Sequence, residues 1–441
     1  MNHKTLDSQM LHPKEQIVIA MTRIYERGLT TLSGGNISVI DEAGDLWISP
    51  SGIDKGNLTP DDIMCVKKNG EIVGKHKPSS EYPFHRAIYQ MRPDLKALIH
   101  AHPPALVSYS IIRQKPEANL TLQAKRTCGE IGYAPYELPG SEALGAVNAE
   151  QFSNPKVKAI IMENHGTVLG GSDIVDAYAR FETFEFCAAM GLYSSLIGKA
   201  QPLTDEQIEG YYNQLPTAMP TYLAMSYTSV EKALRSEICK LIYRGCNHNL
   251  MFSSAGTISA RTEGNDFLIT PAQTSRWELT PAQLVQIKKG KVEAGKTPSE
   301  YTWLHQKIYN ENPDVNAIIC SQPPYLMSFG ITDEYFNVRT IPESWIFLQD
   351  VHNVPVSSLW QENEGEDIRA FIKKGSTAVI VRNATAVVVG ASLMKAFDYL
   401  EVAECSAKSI VQGISMGKMV AINDAQVAEL REYFKAVMRI C

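Results

Sequence analysis

Apolar and polar positions alternate along this chain in two periods. Between residues 14 and 28, Ile17, Ile19, Ala20 and Ile24 recur at near-helical spacing and Gly28 closes the run, which predicts a capped helix. Ile37–Ile40 and Leu46–Ile48 are short strand-like runs around an Asp41–Asp45 turn. Glu81–Met91 predicts a helix that stops before Pro93, and Leu95–His102 an apolar strand. Ala159–Leu169 predicts two strands around a turn, and Ile174–Met190 a further helix. Strand pairs joined by turns, mixed with helices, point to an α/β fold with a largely antiparallel sheet.

The pattern then repeats. PSSEYPFHRAIYQMRPDLKALIHAHPPALVSYSII at 78–112 lines up with PSEYTWLHQKIYNENPDVNAIICSQPPYLMSFGIT at 298–332. Pro78, His85, Pro93, Asp94, Pro103 and Pro104 recur as Pro298, His305, Pro313, Asp314, Pro323 and Pro324. Upstream, SGGNIS at 33–38 is matched by SAGTIS at 254–259, and downstream HGTVLGGSDIVDAYARFE is echoed by ATAVVVGASLMKAFDYLE. One domain is therefore used twice, over 1–205 and 226–441. The stretch 206–225, with prolines among polar and aromatic residues, reads as a linker or extension.

Composition narrows the function classes. With 44% apolar residues and a net charge of −6, a chain of 441 residues is neither disordered nor equipped to neutralise nucleic-acid phosphates. No run of 18 apolar residues is present, so no membrane partner is expected. Eight scattered cysteines without CxxC spacing and a start without an apolar leader point to reduced thiols in the cytoplasm.

The candidate chemistry sits in the first copy. His100 and His102 are two apart on a strand-like run, so both imidazoles face one way. His165, followed by Gly166, offers a third. Three histidines with an open position form the pattern of a catalytic zinc site, although an HxH pair alone also suits surface or core histidines. Glu81 follows Ser79 and Ser80, where a helix should begin; either serine could cap it, and such a start also suits an anion. The turn Ser49-Pro50-Ser51-Gly52 adds further backbone donors. The loop Ser33-Gly34-Gly35-Asn36 is no dinucleotide fingerprint.

Taken in order, GGN (Gly34–Asn36), SPSG (Ser49–Gly52), PSSE (Pro78–Glu81), HAH (His100–His102), APY (Ala134–Tyr136) and NHG (Asn164–Gly166) resemble the class II aldolase and adducin head domain family, nearest to its L-fuculose-1-phosphate aldolase type. The likeness covers about 14–195 and more faintly 230–415. It implies a three-layer α/β/α domain around a mostly antiparallel sheet, present twice in tandem. It also implies that His100, His102 and His165 bind Zn²⁺, that Glu81 is the acid/base, and that Gly35, Asn36, Ser51, Gly52, Ser79 and Ser80 bind phosphate and substrate. The implied reaction is cleavage of a ketose 1-phosphate to glycerone phosphate and an aldehyde through a metal-stabilised enediolate, with another divalent metal possible. Related 4-epimerases carry Asp where this chain has Glu81, which favours an aldolase. One departure stands out: the family's tyrosine about 19 residues past HxH is missing from Asn119–Gln123.

The second copy has Cys320, Gln322 and Tyr301 where the first has His100, His102 and Glu81. Glu300 replaces Ser80, Thr257 replaces Asn36, Gln273 replaces Gly52, and His165 falls on Ala384 or Thr385. It is expected to be non-catalytic. His85 and His305 persist in both copies, which favours a packing or hydrogen-bonding role. A homo-oligomer is expected, two tandem chains forming a pseudo-tetramer, with Tyr211, Tyr212 or Tyr222 as candidates for the missing tyrosine. The alternatives are a sugar-acid phosphate decarboxylase, a pentulose-phosphate 4-epimerase, or a non-enzymatic adducin-like assembly domain. The last requires lost ligands in both copies.

Overall fold

The chain forms two α/β units in a computed structural model that describes residues 8–214 and 219–437. The first takes Met1–Asn119 and Gln123–Ala189, the second Leu120–Leu122 and Met190–Cys441. No helix among the described residues is long and apolar enough to cross a membrane.

The first unit is built on eight strands: β1 (Asn36–Ile40), β2 (Leu46–Ile48), β3 (Met64–Val66), β4 (Ile72–Val73), β5 (Ala97–Ala101), β6 (Glu130–Ala134), β7 (Val157–Met162) and β8 (Gly166–Gly171). Their order is β4-β3-β2-β1-β5-β8-β7-β6, antiparallel except for β6 beside β7. Helices α1 (Pro13–Glu26), α2 (Tyr82–Met91), α3 (Pro104–Ile111), α4 (Leu122–Cys128), α5 (Glu142–Phe152) and α6 (Ile174–Ile197) complete it, the first residue of α4 and the end of α6 belonging to the second unit.

Central β5 carries apolar side chains on both faces, and all five of its residues are buried. On one face Leu98 packs with Leu46, Ile48, Ile160, Met162 and Val168 beneath Phe84 and Ile88 of α2 and Leu144 and Phe152 of α5. Strand register puts Asn36 opposite His100 and Ser38 opposite Leu98, so polar residues of β1 share that face with His100.

The second unit repeats the plan with β9 (Thr221–Tyr222), β10 (Thr257–Arg261), β11 (Phe267–Ile269), β12 (Val285–Lys288), β13 (Lys291–Glu293), β14 (Ala317–Ser321), β15 (His352–Val354), β16 (Ala378–Val381) and β17 (Thr385–Gly390). The order is β15-β16-β17-β14-β10-β11-β12-β13-β9, antiparallel except at its two ends. Its helices are α7 (Asp205–Asn213), α8 (Ser229–Asn247), α9 (Thr302–Glu311), α10 (Pro324–Gly330), α11 (Pro342–Leu348), α12 (Glu366–Lys373), α13 (Leu393–Gly413) and α14 (Asp424–Val437). Registers coincide with those of the first unit: Thr257 lies opposite Cys320, and Ser259 opposite Ile318.

Three details differ from the expectations set by the sequence. Helix α2 begins at Tyr82 with Glu81 as its cap residue, so neither Ser79 nor Ser80 is the cap. Strand β5 ends at Ala101, just before Pro103, and His102 lies one residue beyond it. The segment 206–225 carries most of α7 and all of β9, and both belong to the second unit.

Candidate active site

His100 stands on β5 with its Nδ1 2.8 Å from the Thr167 carbonyl oxygen. That bond places a proton on Nδ1 and leaves Nε2 as the electron-pair donor. His102 follows the strand in a space kept open by glycine: a Cβ on Gly34 would lie 3.1 Å from His102 Nδ1, and one on Gly166 2.7 Å from its Cδ2. His165 ends the β7–β8 turn after Asn164, whose φ of 50° is left-handed. The His165 amide donates to Ser110 Oγ at 2.9 Å, and that hydroxyl donates to the Met162 carbonyl at 2.7 Å.

The three rings form a triangle with centroids 4.8, 4.9 and 5.3 Å apart. One nitrogen from each lies within 4.8 Å of the others, and His102 Nε2 is buried without a hydrogen-bond partner. Such a convergent set of imidazole donors suits a divalent cation. Among the described residues this is the one His, Cys, Asp and Glu group of that kind.

Glu81 reaches into the triangle. Its Oε2 lies 3.1 Å from His100 Nε2 and its Oε1 3.1 Å from His165 Nε2. Burial alone would push this carboxyl up, but the His100 and His165 imidazoles outweigh burial and hold it far below the usual carboxylate range. His100 responds in kind: burial disfavours its charge, and the Glu81 carboxylate overcomes that and raises it. Burial pushes His102 down to about 3, so it stays neutral and able to ligate.

Behind Glu81 runs a buried chain of hydrogen bonds. Asn36 Nδ2 donates to Glu81 Oε2 at 2.8 Å, and Asn36 Oδ1 pairs with His85 Nε2. His85 Nδ1 lies 2.7 Å from Ser38 Oγ, which is 2.9 Å from the Tyr89 hydroxyl. The amide of Asn36 is thus fixed with its NH₂ toward the carboxylate. The second unit keeps the inner part, with Ser259 Oγ 2.7 Å from both His305 Nδ1 and the Tyr309 hydroxyl. There His305 Nε2 lies 3.2 Å from Cys320 Sγ. His85 is therefore a hydrogen-bonded core residue that also orients Asn36.

The anion-binding candidates also converge. A bridge between Pro50 and Pro78 lays the Ser49–Gly52 turn beside the Pro78–Glu81 turn. Ser51, Gly52 and Ser80 are exposed, whereas Ser79 is buried and its hydroxyl accepts the Glu81 amide at 3.3 Å. Gly35, at φ 70°, runs so close to β5 that a Cβ would lie 2.7 Å from the His100 carbonyl oxygen.

Two residues here left no trace in the sequence motifs. One is Ser110, which fixes the turn before His165. The other is Lys55, buried, whose ammonium donates to the Pro50 carbonyl at 2.5 Å and is pushed down by burial to about 8. Its recurrence as Arg276, donating to Pro271 at 3.2 Å, was the available signal. The tyrosines named as candidates for the missing one all belong to the second unit. Tyr211 and Tyr212 pack in the core of the second unit, and the Tyr222 hydroxyl donates to Gln286 at 2.5 Å. The β8 and β17 starts settle the remaining alignment, pairing His165 with Ala384.

The family profile described as class II aldolase and adducin N-terminal domain matches residues 15–192 and 236–411. The 5-deoxy-D-ribulose 1-phosphate aldolase of Bacillus thuringiensis serovar kurstaki is 32% identical over 44% of this chain and 92% of its own length. The L-fuculose phosphate aldolase of Methanocaldococcus jannaschii is 35% identical over 42% and 99%. The 3-oxo-tetronate 4-phosphate decarboxylase of Haemophilus influenzae is 32% identical over 46% and 98%. A solved L-fuculose 1-phosphate aldolase is 30% identical, covering 45% of this chain and 92% of that one with a TM-score of 0.42. The chain belongs in both halves to the class II aldolase and adducin N-terminal domain family, and it is a lyase of that family.

Proposed function

We propose that the first unit is a zinc-dependent aldolase cleaving a ketose 1-phosphate, of the L-fuculose 1-phosphate kind, to glycerone phosphate and an aldehyde. The observation that carries this reading is the Glu81 carboxylate held 3.1 Å from both His100 and His165. His100, His102 and His165 would hold the ion, and zinc suits an all-imidazole set. When bound, the ion supplies Lewis-acid stabilisation of the charge that bond cleavage leaves on the substrate.

The chain's own residues do the rest. Glu81 moves the proton at C3, removing it in condensation and returning it in cleavage. Asn36 aims the carboxylate, and His85 and Ser38 keep Asn36 from turning over. Ser51, Gly52, Ser79 and Ser80, with Gly35, line the loops that hold the phosphate and so fix the carbon skeleton over Glu81. The second unit, with Tyr301, Cys320 and Gln322 at these positions, is non-catalytic. A cytoplasmic setting accords with its thiols, all seven described cysteines being free.

The same residues would also serve decarboxylation of a 3-oxo sugar-acid phosphate, and one relative at 32% identity is named a 3-oxo-tetronate 4-phosphate decarboxylase. A panel of ketose 1-phosphates and 3-oxo-acid phosphates, assayed on zinc-loaded protein, separates the two. Glycerone phosphate release is expected. Release of CO₂ without glycerone phosphate would overturn the aldolase reading, as would interconversion of pentulose-phosphate epimers.

A further inference from the structure

The loops of the first unit that suit an anion carry no positive charge of their own. Gly35, Asn36, Ser51, Gly52, Ser79 and Ser80 are all neutral, and the Glu81 carboxylate beside them repels an anion. The Gly52 and Ile53 amides find no acceptor among the described residues, so the turn offers dipoles alone. A cation stands directly behind it. Lys55 is 1% exposed, and its ammonium reaches back to the Pro50 carbonyl at 2.5 Å, closing the 50–55 loop around Ser51 and Gly52. Its amide donates to the Leu32 carbonyl at 2.9 Å, and Gly56 lies against the Tyr25 ring, so the lysine is anchored on both sides. An ammonium has three donors, and Pro50 takes one. Among the described residues no carboxylate pairs with it. A cation buried this deeply without a counter-ion is costly to keep.

The second unit solves the same problem with its own residues. Arg276, the counterpart of Lys55, is buried and donates to the carbonyls of Gly256 at 2.6 Å, Pro271 at 3.2 Å and Thr274 at 2.8 Å. Gly256 and Pro271 stand where the first unit has Gly35 and Pro50. Burial pulls Arg276 down to about 10, while Cys246 and the Glu300 carboxylate work the other way and favour its charge. Glu300 occupies the Ser80 position, so the second copy holds a carboxylate within electrostatic reach of its buried cation. In the first copy that place is an exposed serine. The cation is present in both copies, and only one of them builds in the anion.

We propose that Lys55 is the counter-ion of a bound phosphate: it shapes the 50–55 loop through the Pro50 carbonyl and supplies the positive charge that a phosphate dianion at Ser51, Gly52 and Ser80 requires. Glu300 does for Arg276 what the phosphate does for Lys55. Under the aldolase reading, on which the identity of the substrate rests, this is the 1-phosphate of the ketose. Lys55 attracts and positions that group and takes no part in bond cleavage, so its loss should raise KM for a ketose 1-phosphate far more than it lowers kcat.

Inorganic phosphate is the probe, titrated calorimetrically into the full chain. Lys55→Gln, which keeps an N–H donor but no charge, should bind phosphate roughly tenfold more weakly or worse. Lys55→Arg, which carries the cation used in the second copy, should stay within about threefold of the wild type. In wild-type protein labelled with ¹⁵N at lysine Nζ, the resonance that is absent from Lys55→Arg should move when phosphate is added. That readout stands even where Lys55→Gln fails to fold. An affinity unchanged in Lys55→Gln, an Arg variant as weak as the Gln variant, or a Lys55 resonance indifferent to phosphate would each overturn the proposal. None of these measurements needs turnover. Phosphate bound through Lys55 in a protein that releases no glycerone phosphate would sink the aldolase reading and leave the Lys55 site standing.

Discussion

Glu81 is free for chemistry because the start of α2 does not consume it. A carboxylate at a helix start usually satisfies backbone amides, but here it makes no capping bond, and Ser79 serves its own amide instead. Its oxygens are left to Asn36, His100 and His165. Replacing Glu81 by Gln should lower turnover about 10²–10⁴-fold while the three imidazoles keep the metal, as rate and metal content measured on one sample would show. Ser110→Ala acts at one remove. It removes one of two bonds at each group, since the His165 amide also donates to the Met162 carbonyl at 3.2 Å, so it should cost about 0.5–1.5 kcal/mol in urea unfolding and weaken metal binding roughly 10-fold in a chelator competition. The histidines were legible because their spacing is chemical. Ser110 was not, because a hydroxyl that serves the backbone leaves no mark on sequence spacing, and Lys55 showed only through its counterpart Arg276 in the repeat.

Helix α3 begins two residues after His102, and Glu185 of α6 seats it by accepting the Ala105 and Leu106 amides at 3.0 Å each. The second unit repeats the device with Glu404 on Tyr325 and Leu326 at 3.1 and 2.7 Å. Glu185→Ala should therefore destabilise the fold by about 1–3 kcal/mol per stranded amide and loosen the metal, whereas Glu404→Ala should destabilise without touching metal content. Calorimetry and metal analysis on both variants would check this. The buried Ser–His–Tyr groups set a pH dependence. Burial pushes His305 from its ordinary 6.5 down to about 3, so its neutral form is favoured in the fold. The corresponding stability is complete above pH 6.5 and is lost as pH falls toward 3. Urea midpoints between pH 7 and 4 should drop less in His305→Gln than in the wild type. At this scale hydrophobic period predicted the central strands and helices well. It missed α7 and β9, because prolines and polar residues there resemble a linker and their order comes from tertiary contacts.

Two copies of one domain should bind one metal ion per chain, not two, since Cys320 lies against His305 and Ala384 has no donor. Zinc titration of the stripped protein would read this directly, and a second site lost on Cys320→Ala would contradict it. The repeat also records a reversed ion pair: Arg113 meets Glu163 at 3.0 Å in one unit and Arg382 meets Asp333 at 2.7 Å in the other. The pairing persists while its sign changes, which marks it as a tie between loops rather than a means of handling substrate. Duplication was legible because a constant offset shows in plain sequence. The excursion of Leu120–Leu122 into the second unit was not, since nothing local distinguishes two leucines that pack elsewhere. That excursion bears on biosynthesis. The bond from Asn383 to Leu120 spans 263 residues. At about 5–20 residues per second, a ribosome needs roughly 13–50 s to supply the distant partner after Leu120 has emerged. For that interval a nascent chain shows two leucines and an unfilled hydrogen-bonding edge to its surroundings, a natural landing place for a chaperone. A gene fragment ending near residue 205 would never leave that state, so the isolated first half should be sticky however sound its catalytic residues.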